Sequence, residues 1–329
     1  MADLDAVLRL ARAGGSGLTN LPPDRSALEH RIRASERAIA GAEARNSGSA
    51  IILVGEFGGE IVAIGMVFAR VGAEWPFYSY KLTRQAAVSR TLGRSKAQML
   101  LNLVNDFDGE TEVGGLFVDP ARRGLALGRL MARARYMFIA RHREWFANRV
   151  IAELRGFQDE SGRAPLWEAI GRHFYEMDFQ DADRTGAIQG NQFIADLGPR
   201  YPIYVSTLPL DAQAAVGRPH DDGRPARDML LSEGFRDAGY VDIFDGGPTL
   251  VADIDAVRTV RLCERRILHA VRPLDDAAPS VLASFGSAAN FRVTIGGAAR
   301  SDDDRVALEP ALVEALGARV GEEVAIVAD

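Results

Sequence analysis

Residues 116 to 130 constrain this chain more than any other stretch. They read Leu116-Phe117-Val118-Asp119-Pro120-Ala121-Arg122-Arg123-Gly124-Leu125-Ala126-Leu127-Gly128-Arg129-Leu130. The order is a short apolar strand, a proline-marked turn with paired arginines, then a long amphipathic helix predicted over 126–141. A helix that opens in small residues leaves its first N–H groups unpaired, and its dipole makes that end attractive to anions. Basic side chains beside such an end suit a diphosphate. Leu127, Leu130, Met131, Ala134, Met137 and Phe138 form one apolar stripe of the helix. Arg129 and Arg133 lie one turn apart on another face, with Arg122 and Arg123 just ahead of them. The plainer reading is a surface helix with solvated arginines; the strand–Pro–Arg–Gly–helix order favours the anion site. No Gly-Lys-Ser/Thr follows, so the loop is not a Walker A sequence.

The chain has 329 residues, enough for about two domains. Its net charge of −6 argues against a nucleic-acid binder, whose phosphate contacts need a concentrated basic surface. An anionic ligand must therefore be held by a local patch. Cys263 is the one cysteine, which excludes an internal disulfide and a thiolate metal cluster. Its setting reads as helical and its thiol as buried and structural. No apolar run approaches the roughly 20 residues of a membrane span. No signal peptide opens the sequence, and a cytoplasmic location is expected.

Leu4, Val7, Leu8 and Ala11 recur with helical spacing, and Ala13-Gly14-Gly15-Ser16-Gly17 ends that helix. A second helix is expected from Arg25 to Ala44. Two strands, 51–57 and 61–71, join through Gly58-Gly59 as a tight hairpin. Residues 75–88 are aromatic and extended, whereas 97–104 fit either a helix or a strand. Strands are expected at 113–118 and 150–154, and a short helix with Pro165 at its first position. A helix followed by Glu233-Gly234-Phe235 faintly echoes that segment. Residues 289–295 read as a strand and 316–327 as a turn plus strand, together a small β-rich C-terminal module. Asp302-Asp303-Asp304 lacks the spaced ligands of a cation site and reads as a solvated loop. The chain thus divides into 1–262 and 263–329.

Of the histidines, His30 and His142 sit among charges and read as solvated, while His173 lies in an aromatic run and reads as packed. His269 has no distinguishing context. His220 falls in a Gly/Pro-rich loop, Val216-Gly217-Arg218-Pro219-His220-Asp221-Asp222-Gly223-Arg224-Pro225, of a kind that holds a side chain over a site. On local sequence alone it is a solvated loop residue.

The segment Arg123-Gly124-Leu125-Ala126-Leu127-Gly128 resembles the acyl-CoA-binding motif of the GNAT superfamily of N-acetyltransferases, Arg/Gln-x-x-Gly-x-Gly/Ala. Ala126 replaces the first glycine, adding a methyl where a phosphate approaches the backbone. Further segments narrow the resemblance: Gly17-Leu18-Thr19-Asn20-Leu21-Pro22, Ala152-Glu153-Leu154-Arg155-Gly156, Pro202-Ile203-Tyr204 and, most specific, Asp242-Ile243-Phe244-Asp245-Gly246-Gly247-Pro248-Thr249-Leu250. Together they are similar to the arginine N-succinyltransferase family from about residue 2 to about 262. Members carry an extra strand before the segment matching Ala2-Asp3-Leu4-Asp5.

The resemblance implies an α/β fold, a mixed and largely antiparallel sheet flanked by helices. It implies transfer of succinyl from succinyl-CoA to the α-amino group of L-arginine, in arginine catabolism. By the same carry-over His220 is the proton donor and Leu116 a succinyl-CoA contact, necessarily through its backbone. Such a contact would follow if the strand splays beside Gly114-Gly115. Val118, Arg123, Gly124, Ala126 and Gly128 complete the expected CoA site. By residue type, Glu153, Asp242 and Asp245 are candidates for the guanidinium and Arg155 for the α-carboxylate; Asp245 also suits turn chemistry. No metal and no tightly bound cofactor are implied, and a homo- or hetero-oligomer with a homologous subunit is. Ornithine or another basic amino acid as acceptor, and a non-catalytic CoA- or arginine-binding regulatory subunit, are the alternatives.

Overall fold

The computed structural model describes residues 2–14, 21–41, 45–275, 277–301 and 303–329. The Gly15–Gly17 helix stop, the Gly17–Asn20 part of the family-like segment, residues 42–44 of the second helix and Asp302 lie outside them. A nine-stranded sheet carries the chain up to residue 253, and a closed five-stranded barrel follows.

The sheet strands are β1 (Ala50–Phe57), β2 (Glu60–Phe68), β3 (Ser79–Ser89), β4 (Arg94–Val104), β5 (Thr111–Val118), β6 (Arg149–Glu153), β7 (Ile203–Tyr204), β8 (Arg236–Asp242) and β9 (Pro248–Asp253). Their spatial order is β1-β2-β5-β6-β9-β8-β3-β4-β7. Every neighbouring pair is antiparallel except β5–β6. The β1–β2 hairpin turns at Gly58-Gly59, both at positive φ as a tight hairpin requires. Residues 97–104, open between helix and strand in the sequence, belong to β4, paired with β3 along its whole length.

Two helices, α1 (Leu4–Gly14) and α2 (Arg25–Ala40), precede the sheet. Asp24 caps α2, accepting from Ala27 N at 2.8 Å. α1 buries Leu4, Val7, Leu8, Leu10 and Ala11 against Ile64 and Met66 of β2. α3 (Leu127–Arg141) covers the opposite face, where Tyr136, Phe138 and Ile139 pack on Val67, Val113, Val150 and Ala152. The predicted stripe is buried here apart from half-buried Leu130, and burial extends around α3 to Ala132, Arg133, Arg135 and Tyr136.

α3 is enclosed because the barrel lies on its outer side. Strands β10 (Glu264–Val271), β11 (Ser280–Phe285), β12 (Arg292–Arg300), β13 (Arg305–Leu308) and β14 (Glu323–Ala328) close in the order β10-β13-β12-β11-β14. Met137 of α3 meets Leu282, Ala325 and Val327 of the barrel. The sequence showed two of these strands; the helix Pro310–Leu316 and the closure itself depend on pairings remote along the chain.

Two histidine expectations are reversed. His142 is buried and stacks on Trp145 with ring centroids 4.1 Å apart, its Nε2 accepting from Ala288 N at 3.1 Å. Burial holds its pKa below the ordinary value. His173 is exposed, because the helix Gly171–Tyr175 turns Tyr175 inward instead. Cys263 lies beyond the short helix Arg258–Arg261, half-buried, its thiol pushed up to about 11 by burial.

Candidate active site

β5 and β6 are in register only at Thr111↔Val150 and Glu112↔Ile151. Beyond Glu112 the strands part, and the backbone of residues 113–118 loses its neighbour on that side. On its other side β5 bulges: Ile64 pairs with Phe117 and Met66 with Gly114, so β5 carries one residue more than β2 over that interval. Gly115 absorbs the extra residue at φ 55°, and a Cβ there would stand 2.9 Å from the Met66 side chain. The strand thus splays beside Gly114-Gly115, the condition set above for a backbone contact at Leu116.

A cavity of about 760 Å³ opens at this parting. Leu116, Arg123, Glu153, Arg155, His220, Asp242 and Asp245, all singled out in the sequence, line it. Val118, Gly124, Ala126 and Gly128 do not. Val118 ends β5 and Gly128 lies in the first turn of α3; between them, Ala126 adopts φ 56° ahead of α3 and no side chain caps the helix. The methyl that replaces glycine thus occupies a left-handed conformation, which costs about 1–2 kcal/mol for a residue with a Cβ.

The arginines of the motif are mostly spent on architecture. Arg122 pairs with Glu60 at 3.3 Å, and Arg129 with Asp329 at 2.7 Å. Arg133 is buried, donating to Thr259 Oγ1 at 3.0 Å, Ala328 O at 2.6 Å and Asp329 Oδ1 at 3.2 Å, with Glu233 at 3.6 Å. Arg123 remains exposed on the rim.

The opposite wall is acidic. Glu112, Glu153, Asp183, Asp242 and Asp245 all face the cavity, and among the described residues none of them has an ion-pair partner. Glu153 accepts only from Thr249 Oγ1, at 3.4 Å. Burial raises the pKa of Glu112 to about 7 and that of Asp183 to about 7. Glu153 is also raised well above the ordinary value, by burial and then by the charge of Asp242. Asp245 reaches about 8 for the same two reasons.

Asp245 is tied to the backbone more than to the cavity. Its Oδ2 accepts from Gly156 N at 2.7 Å and its Oδ1 from Gly247 N at 2.9 Å. Asp242 Oδ1 accepts from the N–H groups of Phe244 and Asp245, at 2.7 and 2.9 Å. The close approach needs glycine: a Cβ on Gly247 would lie 1.9 Å from Leu154 O. This clamp positions residues 154–157, against which the histidine loop pairs. Phe157 N donates to Arg218 O at 3.0 Å, and His220 N to Arg155 O at 2.8 Å. His220 Nδ1 accepts from Asp222 N at 3.2 Å, so the neutral ring carries its proton on Nε2.

Among the lining residues that sequence reasoning missed, four carry polar groups that matter to the site. Glu112 and Arg135 were hidden in a strand and a helix stripe. Asp183 lies on α4 (Phe179–Gln189), and Asn191 just beyond that helix has an Oδ1 buried without a partner.

A mixed sheet that parts at its parallel pair leaves free backbone groups over the cavity, beside an uncapped helix start. The comparisons name the family. Residues 1–259 match the family model described as arginine N-succinyltransferase beta subunit. Arginine N-succinyltransferase subunit beta of Pseudomonas aeruginosa is 38% identical over 85% of this chain and 83% of its own length. Arginine N-succinyltransferase of Citrobacter koseri is 36% identical over 99% of this chain and 94% of its own. The solved structure of arginine/ornithine succinyltransferase subunit AI from Pseudomonas aeruginosa superposes with TM-score 0.87 at 32% identity, covering 99% of this chain and 96% of that one. The chain belongs to the arginine N-succinyltransferase family.

Proposed function

We propose that this chain moves succinyl from succinyl-CoA to the α-amino group of L-arginine, giving CoA and N-α-succinyl-L-arginine. The observation that carries the reading is the wall of carboxyl groups without ion-pair partners, next to a strand whose backbone is free. A cation with several N–H donors supplies what that wall lacks. Glu153, Asp242, Glu112 and Asp183 receive the guanidinium and α-ammonium groups, and Arg155 receives the α-carboxylate. Asp245 serves this site by holding the Gly156 loop.

Backbone groups of residues 114–116 hold the thioester, and an N–H there stabilises the oxyanion formed as the amine attacks. Arg123 and the start of α3 take the diphosphate. A carboxyl titrating near 7 is matched to accept the proton that the amine loses. His220 protonates the departing thiolate from Nε2 as an imidazolium, its Nδ1 then facing the Asp222 carboxylate 3.7 Å away, and returns to the neutral ring. Attack is direct, within a ternary complex. The names of the relatives support assembly with a homologous subunit, and a cytoplasmic location fits a CoA thioester substrate.

Thiol release from succinyl-CoA, measured with and without L-arginine, tests the reading, with acetyl-CoA and L-ornithine as controls. Arginine-dependent release specific to succinyl-CoA is expected. His220→Ala should lower turnover by roughly 10²–10⁴-fold. Unchanged turnover in that variant would remove His220 from the chemistry.

A further inference from the structure

We propose that Arg135 is the receptor for the far carboxylate of the acyl group and selects succinyl over uncharged acyl thioesters. This deepens the reading above and rests on it. Buried charges are paired in proteins because desolvation is otherwise uncompensated. Arg133 and Arg135 are the buried arginines among the described residues, at 7% and 4% exposure. Arg133 meets two carboxylates. Arg135 meets none: its Nη1 donates to Gly114 O at 3.1 Å, and its Nε is buried without a partner. Glu112 acts on it only as a more distant charge.

The position of this guanidinium is specific. Gly114 is the residue where β5 begins its bulge, so the unpaired charge sits one hydrogen bond from the backbone that holds the thioester. Gly65 of β2 leaves room for the side chain, since a Cβ there would stand 3.2 Å from Arg135 Cδ. Two substrates bring two carboxylates, and the cavity offers two guanidinium groups with an unpartnered Nε, on Arg135 and Arg155. Arg155 belongs to the histidine loop through its carbonyl, bonded to His220 N, and faces the amino acid. Arg135 belongs to the bulge and therefore faces the acyl chain.

The test compares the affinities of succinyl-CoA and butyryl-CoA, in which a methyl replaces the carboxylate, by titration calorimetry on wild type, Arg135→Met and Arg135→Gln. Wild type is expected to favour succinyl-CoA about ten- to a hundredfold, the scale of a charged hydrogen bond. Both variants should bind butyryl-CoA as wild type does and lose the preference. Gln keeps a donor for Gly114 O and guards against a folding defect in Met. Equal wild-type affinities, or a folded variant that keeps the wild-type ratio, would overturn the assignment. No amino acid is present in this measurement, so it is read separately from arginine-dependent thiol release.

Discussion

The two walls of the cavity carry opposite charge and treat it differently. On the α3 wall, Arg129 and Arg133 are neutralised by Asp329 and Glu233, whereas Arg123 and Arg135 have no carboxylate partner among the described residues. On the facing wall, Glu112, Glu153, Asp183 and Asp242 are left without cations. Charge that the protein pairs internally holds elements together; charge that it leaves unpaired is reserved for a ligand. Basic residues next to a motif are therefore not automatically its anion contacts.

The sharpest way to break this contrast is at Arg133. Replacing it with Met leaves Glu233 and Asp329 without their buried cation and should cost roughly 3–5 kcal/mol of stability. Chemical denaturation measures this, and a near-neutral result would return Arg133 to the ligand side of the ledger. On the acidic wall, Glu153→Gln should do the reverse. KM for arginine is expected to rise about ten- to a hundredfold, while thermal stability rises because a buried, repelled carboxyl is gone. A fall in both stability and activity would mean that Glu153 is structural.

A pH series sharpens the same point. Glu112 and Asp183 titrate near 7 in the folded chain, above their unfolded values. The native state therefore binds the extra protons, and the stability they contribute is lost as pH rises through about 7. Melting temperature without ligand should decline between about pH 5 and 8 from these groups. Arginine, proposed above as the ligand of the ionised wall, should raise the melting temperature more at the upper end, and its KM should fall with pH. The smallest effect is expected at Ala126→Gly, which relieves a left-handed alanine and should gain about 1 kcal/mol. No gain would mean that glycine's extra freedom in the unfolded chain cancels the relief.

What was legible in the sequence was local. The strand, turn and helix of residues 113–141 show their pattern within one window, and the Asp242–Leu250 run announces its own turn. The burial of His142 was not legible, because it depends on Trp145 and Ala288 closing over it from outside its own helix. Glu112 reads as an ordinary strand residue until β6 parts from it. Asp183 and Asn191 reach the cavity from a helix that gives no chemical signal of its own. The barrel was half seen because closure joins β10 to β13 and β14, and no local window contains those pairs.

The contact between Arg133 and Asp329 spans 196 positions of sequence. The helix that frames the cavity is therefore locked by a residue beyond the last barrel strand, long after its own turn has emerged from a ribosome. Until β14 docks, Arg133 lies in water; docking buries its charge and supplies the Asp329 carboxylate in one step. Contacts this remote in sequence slow folding. They also couple the wall of the cavity to the docking of the barrel.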